Sequence, residues 1–360
     1  MRVWIDSLTP KHALFFTPLR QALKARNHEV LVTTRRYREA VQTLQLKKIP
    51  FTIVGEHGGG TAYGKLAASA HRITKLAELI NTWEPDIAVS FSSPEAARVA
   101  FGLAIPHIAA NDSPHAWRVA KLTVPLSHYV CYPWIIPRNV WTELGANRKS
   151  LAPYRALDAA AWLKDFRPNP RVLPALGLDP DRPVVLLRTE EAFAAYLTGK
   201  ATDRAPVVLP IIKELLKSRL DAQIVVSTRY GLQAPILKKA FREKITILDR
   251  IVDSPSLLAR SAIFVGSGGT MTVEAALLGT IAISCFPGQK PLYISYLEKK
   301  KLVDTIFSPK QIASKAADVL TKPEKYTPRE KRGSALLNWM EDPAQRILAK
   351  ITDALRKSLA

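Results

Sequence analysis

Residues 262–288 read AIFVGSGGTMTVEAALLGTIAISCFPG, 27 residues with one charged side chain, Glu274. Such a stretch fits two structures that exclude each other: a membrane span, or a strand–turn–helix–strand unit of a buried sheet. Punctuation decides between them. A spanning helix needs about 20 mostly apolar residues in one uninterrupted run. Here Gly266, Gly268 and Gly269 interrupt the run early, Gly279 interrupts it late, and Pro287-Gly288 closes it. Residues 262–265 are a short apolar run that stops at glycines, as a buried strand does. Residues 270–278 read as a helix, and 281–286 form a second apolar, β-branched run. The stretch is expected to be one βαβ unit of a parallel sheet.

The same alternation extends over the chain. Strand-like runs are expected at 2–6, 29–34, 51–55, 86–91, 107–111 and 128–132, then at 184–188, 223–228, 245–249, 262–266 and 281–286. Helical patterns separate most of them. Near-continuous apolar strands between helices mean a parallel sheet covered on both faces. The pattern breaks at 165–183, where Pro168, Pro170, Pro174, Pro180 and Pro183 cluster, and proline density of this kind suits a connection between domains. The predicted fold class is α/β, with two Rossmann-like, doubly wound parallel-sheet domains facing across a cleft. The expected parts are an acceptor-side domain at 1–164, a proline-rich linker at 165–183, a nucleotide-binding domain at 184–335, and a C-terminal helix at 336–360 packing back on the N-terminal domain. A chain of 360 residues has room for two full cores.

Net charge is +21 with no terminal tail carrying the excess. A diffuse positive field favours polyanions, whether nucleic acid, an anionic membrane surface or phosphorylated small molecules. A basic bias of a solvated surface is the alternative. Cys131 and Cys285 are too few for a disulfide framework or a four-cysteine zinc site. Both sit in apolar runs, as small buried hydrophobes do, and a reducing cytosol is expected. Met1-Arg2 leads straight into a strand-like run, so no signal peptide is read there. The aromatic segment 122–137 fits either core or an apolar lip at 132–136 near lipid, and the latter would make the protein peripheral at the inner membrane face.

In open parallel sheets ligands bind beyond the carboxyl ends of the strands, so the candidates are residues just after strands. Ser267, Gly268, Gly269 and Thr270 follow the strand at 262–266. Glycines admit close approach of an anion, and the helix that follows offers N–H groups and a partial positive charge. Glu274, about a turn and a half into that helix, can accept two hydrogen bonds from a ribose diol, or it can cap N–H groups. Arg188 ends its strand, with its fork available to a phosphate, while Glu190 and Glu191 beside it fit a salt bridge. Gln289 follows the last strand of the second domain, where it could read a sugar or base edge. In the first half, His12 sits near a helix start that disfavours its protonation, so it can act as base or hydrogen-bond partner. Asp112 stands at a strand end as a candidate general base, and His115 as its orienter or a substrate ligand. Asp112 or Ser113 could instead cap a helix at 114–121. No HExxH or paired metal spacing occurs, so neither a protein-held metal nor a resident cofactor is expected.

A glycine turn leading into a Glu-bearing helix, together with a strand–loop–His helix at the N-terminus, resembles the GT-B glycosyltransferases of the MurG type. The UDP-N-acetylglucosamine 2-epimerases that do not hydrolyse their substrate share that architecture. More narrowly, DSLTPKHALFFTPLRQALKARNHEV (6–30), NDSPHA (111–116) and VGSGGTMTVEAALLGT (265–280) look like the family labelled domain of unknown function 354, with members in archaea and bacteria. The resemblance implies a nucleotide-sugar site, UDP-linked, with the sugar as co-substrate. Gly268, Gly269 and Thr270 would hold the diphosphate, Glu274 the ribose, and Arg188 a phosphate, while His12 and Asp112 would face the acceptor. The N-terminal turn DSLTPKH has no glycine, unlike that of the MurG type, and the epimerases' His-Thr-Gly-Gln-like signature is absent. A glycosyltransferase is the first expectation, with polyprenyl phosphate a plausible acceptor. A nucleotide-sugar 2-epimerase and a nucleic-acid-binding protein on the same scaffold are the alternatives.

Overall fold

The computed structural model describes residues 1–190, 206–229, 233–285 and 290–358; Glu191 and Gln289, both considered above, lie outside the described residues. The chain divides into two compact units, Met1–Lys164 with Met340–Ala360, and Asp165–Trp339.

Unit 1 holds seven described strands: β1 Arg2–Asp6, β2 Glu29–Arg36, β3 Thr52–Glu56, β4 Ile87–Phe91, β5 His107–Ala110, β6 Tyr129–Pro133 and β7 Leu151–Tyr154. They lie in the order β3-β2-β1-β4-β5-β6-β7. Unit 2 holds β8 Val184–Arg188, β9 Gln223–Ser227, β10 Thr246–Leu248, β11 Ile263–Gly266, β12 Ile281–Ser284 and β13 Val303–Thr305, in the order β10-β9-β8-β11-β12-β13. Every pairing is parallel, as in Ile5↔Val32 and Ile5↔Val89 around β1, and Val185↔Ile224 and Val185↔Ile263 around β8. Both sheets are doubly wound. Their central strands are apolar along most of their length because helices cover both faces; Val184, Val185, Leu186 and Leu187 have no exposed surface. In each sheet the order reverses beside the first strand, β1 or β8. That reversal opens a crevice at the carboxyl edge, where ligands of such sheets bind.

The stretch 262–288 resolves as β11, helix Thr270–Leu278 and β12, and no helix among the described residues is long and apolar enough to cross a membrane. Two strands escape the sequence pattern. β7 contains Pro153, which removes a ladder donor and argues against a strand except at an edge, and β7 is an edge. β13 has three residues with Asp304 in the middle. The helix expected at 114–121 shortens to Trp117–Lys121 with Ala116 at its cap, so neither Asp112 nor Ser113 caps it. Instead the Ser113 N–H bonds to Asn111 Oδ1 at 2.8 Å in a local turn that competes with helix. The aromatic segment is core rather than lip. All of β6 is buried, the Tyr132 ring lies 5.2 Å from that of Trp141, and Ile136 is buried.

The proline-rich stretch forms part of unit 2. Val172, Leu173 and Leu178 are buried, and the Asn169 N–H bonds to Ser256 Oγ at 2.9 Å. After helix Thr327–Trp339 the chain returns to unit 1 as helix Pro343–Ser358, which packs on helix Pro10–Lys24. Its Ile347 and Ile351 are fully buried, each contributing about 1.5–3 kcal/mol of apolar burial.

Candidate functional site

In unit 1 the chain leaves β1 through Ser7 and Leu8. Thr9 caps helix Pro10–Lys24 by accepting the His12 N–H, and Pro10 presets the first turn. Lys11 and His12 are thereby fixed in the first helical turn, beside the order reversal. His12 stacks on Phe91 at the end of β4, with centroids 4.8 Å apart. Its Nδ1 accepts the Leu8 N–H at 3.2 Å, which assigns the ring proton to Nε2. Burial, then the charges of Lys11 and Arg35, push its pKa down to about 3, so the ring is neutral.

Lys11 is the hub. Its ammonium lies 2.5 Å from Asp112 Oδ2, 2.6 Å from Asp158 Oδ2 and 4.4 Å from the Phe91 ring centroid. Ser113 Oγ donates to Asp112 Oδ1 at 2.8 Å, and the Tyr154 hydroxyl donates to Asp158 Oδ1 at 2.5 Å. The two carboxylates titrate apart. Burial raises both, but at Asp112 the Lys11 ammonium and the hydrogen bonds win, and the group is held below the usual carboxylate range. At Asp158 burial and the neighbouring Asp112 outweigh Lys11, and the pKa is pushed up to about 7. One ammonium offsets one of two carboxylates sharing a site, and the other keeps its proton. The arrangement offers an ionised base, a carboxyl that exchanges its proton near neutrality, and a neutral imidazole donor.

Lys11, Tyr154 and Asp158 were missed by sequence reasoning. Lys11 stands next to His12 but reads as a solvated surface lysine. Asp158 and Tyr154 belong to the unrecognised edge strand and its loop. The expected orienter, His115, is exposed, and the hydrogen bonds described on Asp112 come from Lys11 and Ser113. Asp6, which ends β1, is consumed by structure. Arg72 grips it with two bonds of 2.6 and 3.1 Å, and Thr33 Oγ1 donates to it at 2.6 Å.

In unit 2 the turn after β11 is built as a cradle. Gly268 adopts φ +78°, a left-handed conformation that favours glycine, and a Cβ there would lie 2.9 Å from Ser284 Oγ. At Gly269, the cap of helix Thr270–Leu278, a Cβ would meet nothing within 4 Å. Ser267 and Thr270 are half-buried on either side, and Glu274, fifth in the helix, is buried at 1% exposure. Arg188 at the end of β8 is aimed by its neighbour strand. Its Nη1 donates to Ser227 Oγ at 2.5 Å and to the Thr228 carbonyl at 3.0 Å. Glu190 accepts the Val207 N–H at 3.1 Å. The glycine turn and Arg188 thus end strands that pair with one another. Among the described residues no group of three or more His, Cys, Asp or Glu side chains could hold a metal ion.

The whole chain, and not only this constellation, has relatives. It is 32% identical over 309 residues to the uncharacterised protein MJ0665 of Methanocaldococcus jannaschii, covering 84% of this chain and 87% of that one. Its fold resembles that of the UDP-GlcNAc 2-epimerase from Neisseria meningitidis bound to UDP-GlcNAc, with TM-score 0.72, 15% identity, and coverage of 98% of this chain and 99% of that one. It also resembles the glycosyltransferase VinC in complex with dTDP, with TM-score 0.65, 13% identity, and coverage of 99% and 100%. At such identities the likeness shows the two-domain α/β architecture of GT-B proteins and nothing finer. Residues 1–356 match the family described as "Protein of unknown function (DUF354)", and the chain belongs to that family.

Proposed function

We propose that this protein is a GT-B-type glycosyltransferase that takes a sugar from a nucleotide diphosphate, UDP in the first instance, and passes it to an acceptor without a protein-held metal. The observation that carries this reading is the open glycine turn at the start of helix Thr270–Leu278, beside the order reversal of unit 2. Backbone N–H groups at Gly269 and Thr270 suit the donor diphosphate, and Arg188 suits its outer phosphate. Glu274 would hold the ribose and Asp112 would take the acceptor proton, with the His12 Nε2–H as hydrogen-bond donor. Donor phosphates would leave as a stable anion, their charge met by the helix terminus and Arg188. Two buried, free cysteines, with thiols pushed up to about 12 by burial, accord with a reducing cytoplasm.

The second reading, a nucleotide-sugar 2-epimerase, is favoured by one observation. Asp112 and Asp158 form a carboxylate pair, one held ionised and the other titrating at about 7, as removal and return of a sugar proton would need. One experiment separates the readings. Calorimetry against UDP, GDP, dTDP and ADP is expected to find one saturable ligand, lost in Glu274→Gln with no change in the melting temperature. The matching UDP-sugar, incubated alone in deuterated water, should stay intact if the protein is a transferase. Deuterium at the sugar's C2 would establish the epimerase instead. Absence of any nucleotide binding, alongside RNA binding with a steep salt slope, would overturn both and leave the basic surface as the functional one.

A further inference from the structure

Along the carboxyl edge of the unit 1 sheet, at the ends of β2 and β3, the acids are already engaged. Asp6 is gripped by Arg72, and Glu95 lies 3.8 Å from the same guanidinium. Glu39 is held by Arg38 at 3.0 Å and Glu56 by Arg36 at 3.6 Å. Arg35 remains. It is half-buried over the Tyr37 ring at 6.0 Å, and its Nε is out of solvent with no hydrogen-bond acceptor among the described residues. Burial lowers its pKa; Glu95 and Asp6 pull it back and Arg72 pushes it down, leaving it below the ordinary arginine value. Beside it His57 stacks on Tyr37 at 4.9 Å. The His57 Nδ1 accepts the Gly59 N–H at 3.1 Å, so the ring proton sits on Nε2. Burial, then Arg35 and Lys65, push its pKa down to about 4, leaving the ring a neutral donor.

A guanidinium N–H that is out of solvent with no acceptor among the described residues is costly, and such a group calls for a reason. The donors assembled here are a guanidinium fork, an imidazole N–H and the ammonium of Lys65, whose charge is felt at His57. They come from the ends of two adjacent strands and the first turn of helix Ala62–Trp83, on the edge where ligands of this fold sit. Arg35 and His57 both lie against the Tyr37 ring, and a phosphoryl group with three outer oxygens can meet more such donors than a carboxylate with two.

We propose that Arg35, His57 and Lys65 form an anion subsite in unit 1 for the phosphate monoester of a second substrate. That the phosphate belongs to a sugar acceptor rests on the transferase reading above; that the subsite binds phosphate does not. The test is calorimetric titration of the full chain with glycerol phosphate in the presence of saturating UDP, so that the unit 2 turn is not the site measured. A parallel arm uses flotation with phosphatidylcholine vesicles with and without phosphatidic acid. Wild type is expected to bind at least one phosphate monoester saturably. Arg35→Met should weaken that binding roughly tenfold or more, as loss of a charge-assisted bond to an anion does. His57→Phe, which keeps the stack on Tyr37 and removes only the N–H, should weaken it a few-fold and serves if Arg35→Met does not fold. UDP affinity should be unchanged in both. Binding of the soluble ester points to a small acceptor, and binding of the vesicles alone to a lipid headgroup. Wild type binding neither, or variants binding as tightly as wild type, would overturn the subsite. A chain that binds glycerol phosphate but no nucleotide would overturn the transferase reading and keep the subsite.

Discussion

Replacing Asp158 by Asn should make the protein more stable relative to wild type as the pH rises, which is the reverse of what losing an ion pair does. Asp158 is buried, and its folded pKa stands at about 7 against an ordinary 3.8. A carboxyl with a raised folded pKa contributes fully below the unfolded value, and that contribution is lost as pH climbs through the folded value. The window therefore runs from about pH 4 to about pH 7. Three pH units at 1.36 kcal/mol each bring the loss in wild type to about 4 kcal/mol. Asn resembles the protonated acid in shape and cannot ionise, so the variant escapes this loss. The stability gap, variant minus wild type, should rise by up to about 4 kcal/mol between pH 4 and pH 7.5. Urea unfolding at stepped pH measures it, read through fluorescence of the buried Trp4 and Trp141, both in unit 1. A gap that stays flat or falls with pH would mean that Asp158 is ionised throughout, and the split between the two carboxylates would be refuted.

Arg72→Met removes the partner of a fully buried Asp6. It should destabilise unit 1 by about 3–5 kcal/mol at neutral pH, the cost of an uncompensated buried charge. Recovery of much of that loss in the Asp6→Asn, Arg72→Met double variant would confirm the cause, and equal losses would argue against it. Gly268→Ala forces a side chain into a left-handed position 2.9 Å from Ser284 Oγ; it should cost about 1–3 kcal/mol and weaken nucleotide binding in the same titration as Glu274→Gln. Undiminished nucleotide binding by a folded Gly268→Ala protein would remove the diphosphate from that turn.

What was legible in the sequence follows from how local each signal is. The glycine turn could be read because an apolar run, a glycine cluster and a helical run are adjacent in the chain, and their chemistry is set by backbone alone. His12 and Asp112 could be singled out because each follows a strand whose apolar run is unmistakable. Asp158 could not, because β7 carries a proline that hides the strand before it. Nor could the grip of Arg72 on Asp6, which joins residues 66 apart through the sheet, or the conversion of Lys11 from a surface residue into a clamp between two acids. These depend on which strands lie side by side, and no spacing in the sequence records that order.

The route of the chain has a consequence for its synthesis. Unit 1 is interrupted by all of unit 2 and completed by helix Pro343–Ser358. That helix packs on helix Pro10–Lys24, the element that carries Lys11 and His12 in its first turn. Chains emerge from the ribosome N-terminal end first, and domains generally fold in that order. Here the order is inverted: the second unit is entirely translated while the first still lacks a wall of its core. Helix Pro10–Lys24 can pack early on helices Arg38–Leu46 and Ala160–Leu163, but it must wait for its last neighbour, a segment made more than 300 residues later. The nascent chain is therefore exposed to misassembly for most of its translation, and the candidate proton-transfer cluster is one of the last parts of the molecule to become rigid.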